Sequence, residues 1–339
     1  MRIKTQIFDS IIFGFLFVGS IFLVRPPSEE ELLNLPMNTM VTLGCLALGF
    51  ALSLALNQMG IKTLGESIFE PPHKKAQNTH SWYKTFWGWQ MLIAFLAAFS
   101  AGIWVTEFSI TEILSEEGFA GAQRIFSSLL TPNFEILPRA VLAITETIFM
   151  AFIATTFAIP VAFVLSFLCA KNIMGKTTPG LILYASLRTL LNVTRSIEPL
   201  IWAIIFSVWV GIGPFSGMLA LLLHSIASLA KQYSEIVECV ENGPIEGIQS
   251  TGASSLQVLW FAVVPQIILP YVSFTIYRWD INVRMATVIG LVGGGGIGTM
   301  LIQYQGQALW NEVGCLVLVI AFVVWLMDTG SAYIREALK

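Results

Sequence analysis

Residues 139 to 169 read RAVLAITETIFMAFIATTFAIPVAFVLSFLC, an apolar run interrupted after its opening Arg139 by a single charge, Glu146. A bilayer core about 30 Å thick is crossed by roughly 20 apolar residues in a helix, and this run is longer than that. It is a membrane span. Working outward, comparable runs recur at approximately 8 to 24, 38 to 59, 85 to 106, 183 to 211, 214 to 231, 262 to 281 and 311 to 334, so the sequence predicts eight spans and an all-α polytopic membrane protein. Across 339 residues, 55% are hydrophobic and 12% charged, half the roughly 25% charged content of soluble domains. No polar stretch is long enough for a separate soluble domain. The net charge of -3 argues against a nucleic-acid partner, whose usual footprint is a basic patch.

The first run follows Arg2 and Lys4 as a signal peptide would. Arg25, Pro26 and Pro27 come after it instead of a small-residue cleavage site, which predicts a retained anchor. Lys and Arg accumulate in cytoplasmic loops. Arg2, Lys4, Lys62, Lys74, Lys75, Lys84, Lys171, Lys176, Lys231, Arg335 and Lys339 fall on one side, whereas Glu29 to Glu31, Glu107, Glu112, Glu116, Glu117 and Glu135 fall on the other. Both termini are therefore expected in the cytoplasm. Cys45, Cys169, Cys239 and Cys315 are scattered, and His73, His80 and His224 share no ligand-like spacing with them, so inert thiols, surface histidines and no metal are expected.

The cytoplasmic loop from about Lys231 to Trp260 is punctuated as two short helices. Pro244 suits a first helical position, Glu246 a first turn and Gly252 a helix end. Ser254 with Gln257 three residues later has the form of a capping box leading into the apolar Leu256, Leu259, Trp260 and Val263. Together these predict a helical elbow at 241 to 260.

Glu246, Gly247, Ile248, Gly252 and Pro265 match the spacing of the coupling motif of ABC importer permeases, Glu-Ala-Ala, three residues, Gly, and later Leu-Pro. Gly247 and Ile248 stand where the motif has alanines, and Ala262 and Val264 where Ile and Leu usually precede the proline. The phrases GPIEGIQSTGASSLQVLWFAVVPQIILP, 243 to 270, and YRWDINVRMATVIGLVGGGGIG, 277 to 298, resemble the phosphonate branch of that family. The resemblance covers roughly 120 to 339. It implies a type I importer core at 139 to 339, with Glu246, Gly247, Gly252, Ala253 and Pro265 coupling to a separate ATPase pair that holds ATP and magnesium. It also implies a second copy of this chain, an external binding protein, and no cofactor or covalent chemistry here. Residues 1 to 82 look like an added hairpin and linker, and 83 to 138 hold the third span and an acidic external segment.

Charges inside spans are costly and mark candidate sites. Arg195, Glu198, Arg278, Asp280 and Arg284 are candidate pathway residues beside Glu146, with an arginine contacting a phosphonate-like oxyanion or, alternatively, pairing internally to orient helices. The spacings predict Asp280–Arg284 and Arg195–Glu198 pairs on helices. Gly293, Gly294, Gly295 and Gly296 are candidates for a lining or gating segment, or for close helix packing. Gly293, Gly295 and Gly298 formally spell GxGxxG, and AKNIMGKT at 170 to 177 resembles a phosphate loop, but neither has the strand and α/β domain such a motif needs. An ion-coupled secondary transporter using Glu146 is the alternative of another class; it would lead one to look for inverted halves, and none is evident.

Overall fold

A computed structural model describes residues 2–24, 35–69, 81–175 and 177–338, and every regular element among them is helical. The linker residues 71 to 80, Arg25 to Glu31, Lys176 and Lys339 lie outside the described residues. Contacts divide the chain into two units, 1 to 115 and 116 to 339. The division falls within the segment 83 to 138, so the third span belongs with the first two.

In the first unit, α1 (Arg2–Val24) and α2 (Leu35–Gln58) pack as a hairpin, followed by the short α3 (Leu64–Phe69) and then α4 (Phe86–Val105). Asp9 explains why α3 stays with α1. Its carboxylate, 1% exposed, accepts from Thr63 Oγ1 at 2.5 Å and from the Gly65 N–H at 2.8 Å, capping the start of α3 from a neighbouring helix. Gln90 on α4 accepts from the Leu64 N–H at 2.9 Å, which ties α4 to the same turn. A lone Asp in an apolar run was the available sequence signal for this cluster.

In the second unit the elements are α5 (Glu116–Leu130), α6 (Leu137–Leu168), α7 (Thr178–Ser196), α8 (Pro199–Val210), α9 (Pro214–Glu238), α10 (Asn242–Gln249), α11 (Ser255–Val258), α12 (Val264–Gly290), α13 (Gly296–Gly306) and α14 (Trp310–Ala337). α9 is the central helix. It lies against α6, where Ala151, Ala154, Ala158 and Ala162 form a stripe of buried small side chains that permits close approach. Tyr233 on α9 and Tyr271 on α12 stack at 3.8 Å between ring centroids, 8° from parallel. Their hydroxyls are satisfied by Thr275 and by Ser166 of α6, the latter at 2.8 Å, so a polar pair locks three helices where an unpaired hydroxyl would be costly.

Seven helices are long and apolar enough to cross a membrane among the described residues, or eight if α7 and α8 count as one bent span. The fifth span, expected at 183 to 211, comprises α7 and α8, which meet at 90°. Pro199 is the reason. It disfavours helical geometry in the residue before it, and Glu198 (ψ 141°) and Ile197 (ψ 124°) are both extended. The seventh span also runs farther than expected, to Gly290.

Candidate functional site

Two regions of the second unit gather the candidate residues. The first is the elbow. α10 begins at Asn242, two residues earlier than expected, so Pro244 is its third residue and Glu246 lies beyond the first turn; the expected dipole benefit to Glu246 does not arise. Proline is accepted there because the first-turn N–H groups have no intrahelical partner. Ile245 packs on the core below, and the Glu241 N–H donates to Gln266 Oε1 of α12 at 3.1 Å. The elbow is thus held by its inner face while Glu246, Gly247 and Gly252 remain exposed and Ala253 is half-buried.

Gly252 has φ +82° and nothing within 4 Å of where a Cβ would stand, so within this chain only the backbone conformation favours glycine there. The capping box forms as expected, with Gln257 Oε1 accepting from the Ser254 N–H at 2.8 Å. Unforeseen was a π-helical turn, Leu259–Val263, in which the Val264 N–H reaches Leu259 O. Pro265, exposed, has no N–H to offer the preceding turn, and the bulge accommodates that loss.

The second region is a polar cavity of about 300 Å³ at the break between α7 and α8. Arg195 and Glu198 contribute from the break, His224, Ser228 and Gln232 from α9, and Arg278 from α12. Arg278 is 7% exposed, and its recorded hydrogen bond is a long one from Nε to Ser225 Oγ, 3.4 Å. The expected Arg195–Glu198 pair is corrected: the break puts the two on different segments, and no ion pair joins them among the described residues. His224, expected at the surface, is buried on α9 against the backbone of Ile197. His224, Ser228 and Gln232 recur every fourth residue, a polar stripe along one face of α9 that the spacing displays.

Asp280 and Arg284 do pair, at 2.8 Å, and Arg284 also reaches Asp328 of α14 at 3.4 Å. These two candidates belong to an ion network outside the cavity lining. Gly293 to Gly296 are likewise outside it. They form the turn between α12 and α13, where a Cβ on Gly295 would meet Pro214 at 2.6 Å and the Ile297 N–H donates to Thr147 Oγ1 at 2.9 Å. A Cβ at any of the four would come within 3 Å of a neighbouring atom. The phosphate-loop lookalike is a single helical turn, Lys171–Met174, whose Lys171 N–H donates to Glu238 Oε1 at 2.8 Å.

A helical core with an exposed elbow and a polar cavity at a broken span defines a membrane permease of the type I importer fold. The same fold occurs in an inward-facing MetNI methionine ABC transporter, with a TM-score of 0.54 at 21% identity, over 61% of this chain and 99% of that one. Residues 139–338 match the family described as binding-protein-dependent transport system inner membrane component, and the chain belongs to it. The phosphite transport system permease protein PtxC of Stutzerimonas stutzeri is 33% identical over 250 residues, 74% of this chain and 89% of that protein. The phosphate-import permease protein PhnE of Mycolicibacterium smegmatis is 33% identical over 63% of this chain and 40% of its own length. The chain is therefore the permease component of an ABC importer, and the ion-coupled alternative falls away.

Proposed function

We propose that this chain forms the transmembrane passage of an importer for phosphonate or a related small phosphorus oxyanion. Two copies enclose the passage, an external binding protein delivers the substrate, and a separate ATPase pair docks on the cytoplasmic elbows and supplies ATP with magnesium. Both termini lie in the cytoplasm. The observation that carries this reading is the elbow: Glu246, Gly247 and Gly252 are exposed on a hook whose inner face is fixed to the core by Ile245 and Gln266. A rigidly held, outwardly unpartnered hook suits transmission of movement from another subunit. The substrate class is supported by relatives whose names specify phosphite and phosphate import.

Co-purification with the cognate ATPase and binding protein tests it. ATP hydrolysis should rise when the binding protein carries a phosphonate, and Gly252→Trp should abolish the rise. A chain that binds no ATPase refutes the coupling, and coupling without phosphonate stimulation refutes the substrate class.

A further inference from the structure

The cavity at the broken span has a composition suited to one kind of ligand. Arg195 and Arg278 bring two positive charges and Glu198 one negative, so among these three the positive charge exceeds the negative by one. No carboxylate stands within 4.0 Å of either guanidinium to form an ion pair among the described residues, and Ser225 Oγ accepts only one long bond, from Arg278 Nε at 3.4 Å. Arg278 is buried, and a buried guanidinium with one long neutral hydrogen bond leaves much of its desolvation cost uncompensated. Two further buried polar atoms on lining residues, His224 Nδ1 and Gln232 Oε1, have no hydrogen-bond partner. A volume of about 300 Å³ holds a small tetrahedral anion with a few waters.

We infer that this cavity is a recognition site for a protonated tetrahedral oxyanion, in which Arg195 and Arg278 hold the charge and the Glu198 carboxylate accepts the acidic O–H. The inference rests on the phosphorus-oxyanion reading above and adds to it a reason for selectivity. A guanidinium presents paired donors to two oxygens of such an anion. A guanidinium alone distinguishes phosphite, phosphonate or phosphate poorly from sulfate, because all four present at least two acceptor oxygens on a tetrahedral centre. A carboxylate in the same cavity can tell them apart. The phosphorus anions carry or readily regain one proton near neutral pH, which donates to Glu198 and leaves a monoanion matched to the net charge. Sulfate has no proton to donate, and its oxygens against Glu198 would meet an acceptor with an acceptor. Ser228, 5% exposed, is placed to donate or accept for either, and does not discriminate.

The test uses the full chain in nanodiscs, titrated with inorganic phosphite and followed by ³¹P line broadening, with phosphate and sulfate as competitors. Native chain should broaden the phosphite signal, and phosphate should reverse the broadening where equal sulfate does not. Arg195→Gln should weaken phosphite binding about tenfold, the loss of a charge-assisted contact. Glu198→Gln should shrink the preference for phosphite over sulfate about fivefold or more, mainly by admitting sulfate. Arg195 and Glu198 are exposed, so these variants are expected to fold, whereas replacing buried Arg278 would confound folding with binding. Absence of phosphite broadening, equal competition by sulfate on native chain, or an unchanged preference in Glu198→Gln overturns the site. Uptake by the complete transporter separates the two readings. Transport of phosphite with unaltered competition in the variants sinks the cavity site alone, and transport of an unrelated substrate sinks the substrate class.

Discussion

The Arg188 guanidinium of α7 meets the Glu238 carboxylate at the end of α9 at 2.8 Å, four residues before α10 begins. Arg188 also holds the Tyr184 hydroxyl at 2.8 Å, and Glu238 accepts from the Lys171 N–H at the same distance. Arg195 lies two turns farther along α7, about 10 Å at 1.5 Å per residue, on the same face and at the polar cavity. One helix thus joins the root of the elbow to the cavity. Arg188→Ala removes a half-buried, charge-assisted bond of about 1–2 kcal/mol. Uptake in proteoliposomes should fall severalfold while binding-protein-stimulated ATP hydrolysis persists; uptake and hydrolysis falling in strict proportion would count against α7 as the link.

Gly252 separates conformation from bulk. Alanine at φ +82° costs about 1–2 kcal/mol locally and meets no neighbour. Gly252→Ala should therefore retain most uptake, and Gly252→Trp should lose it while both stay monodisperse. Equal loss in both variants would show that strain, rather than an occupied docking face, sets the requirement.

The cysteines report topology. Cys239 is exposed beside the elbow, while Cys45, Cys169 and Cys315 are buried. A membrane-impermeant maleimide should label the protein in inside-out vesicles and spare it in intact cells, with Cys239→Ser abolishing the signal. Labelling from outside would reverse the proposed orientation.

Asp9 should govern the first unit independently of coupling. Asp9→Ala leaves the Thr63 hydroxyl and the Gly65 N–H without their acceptor, at about 1–3 kcal/mol each for a buried group. Limited proteolysis should then cleave between α2 and α4 sooner than in native chain. Unchanged protection would place the stability of that unit in apolar packing alone.

Substituting Arg284 tests whether the second charged cluster is structural. Because Asp280 has a side chain only 4% exposed, Arg284→Gln strips its main partner and should lower thermal stability by about 1–3 kcal/mol in melting experiments. Selectivity among oxyanions should not move; a shifted selectivity would bring this cluster into the passage.

The membrane class, most spans and the elbow were legible because each is written in local pattern. Apolar length is a property of consecutive residues, and so are Ser254 with Gln257 and the glycine at position 252. The broken span was legible too, in Pro199, yet apolar continuity from 183 to 211 outweighed it. The start of α10 at Asn242, two residues before Pro244's expected first position, is not written in local pattern; the residue before it, Glu241, is held by Gln266 from α12.

The cavity belongs to tertiary structure alone. Arg195, His224 and Arg278 are far apart in the chain and meet where the α7/α8 break at Pro199 lies beside α9 and α12. The Arg284–Asp328 contact, and the turn packing Gly293 to Gly296 against the start of α9, arise in the same way. Sequence by itself determined which segments enter the membrane, because transfer of a helix into lipid depends on the side chains of that helix. Which charges face one another was decided by how the helices pack, because a charge in the membrane is stabilised by partners that other helices supply.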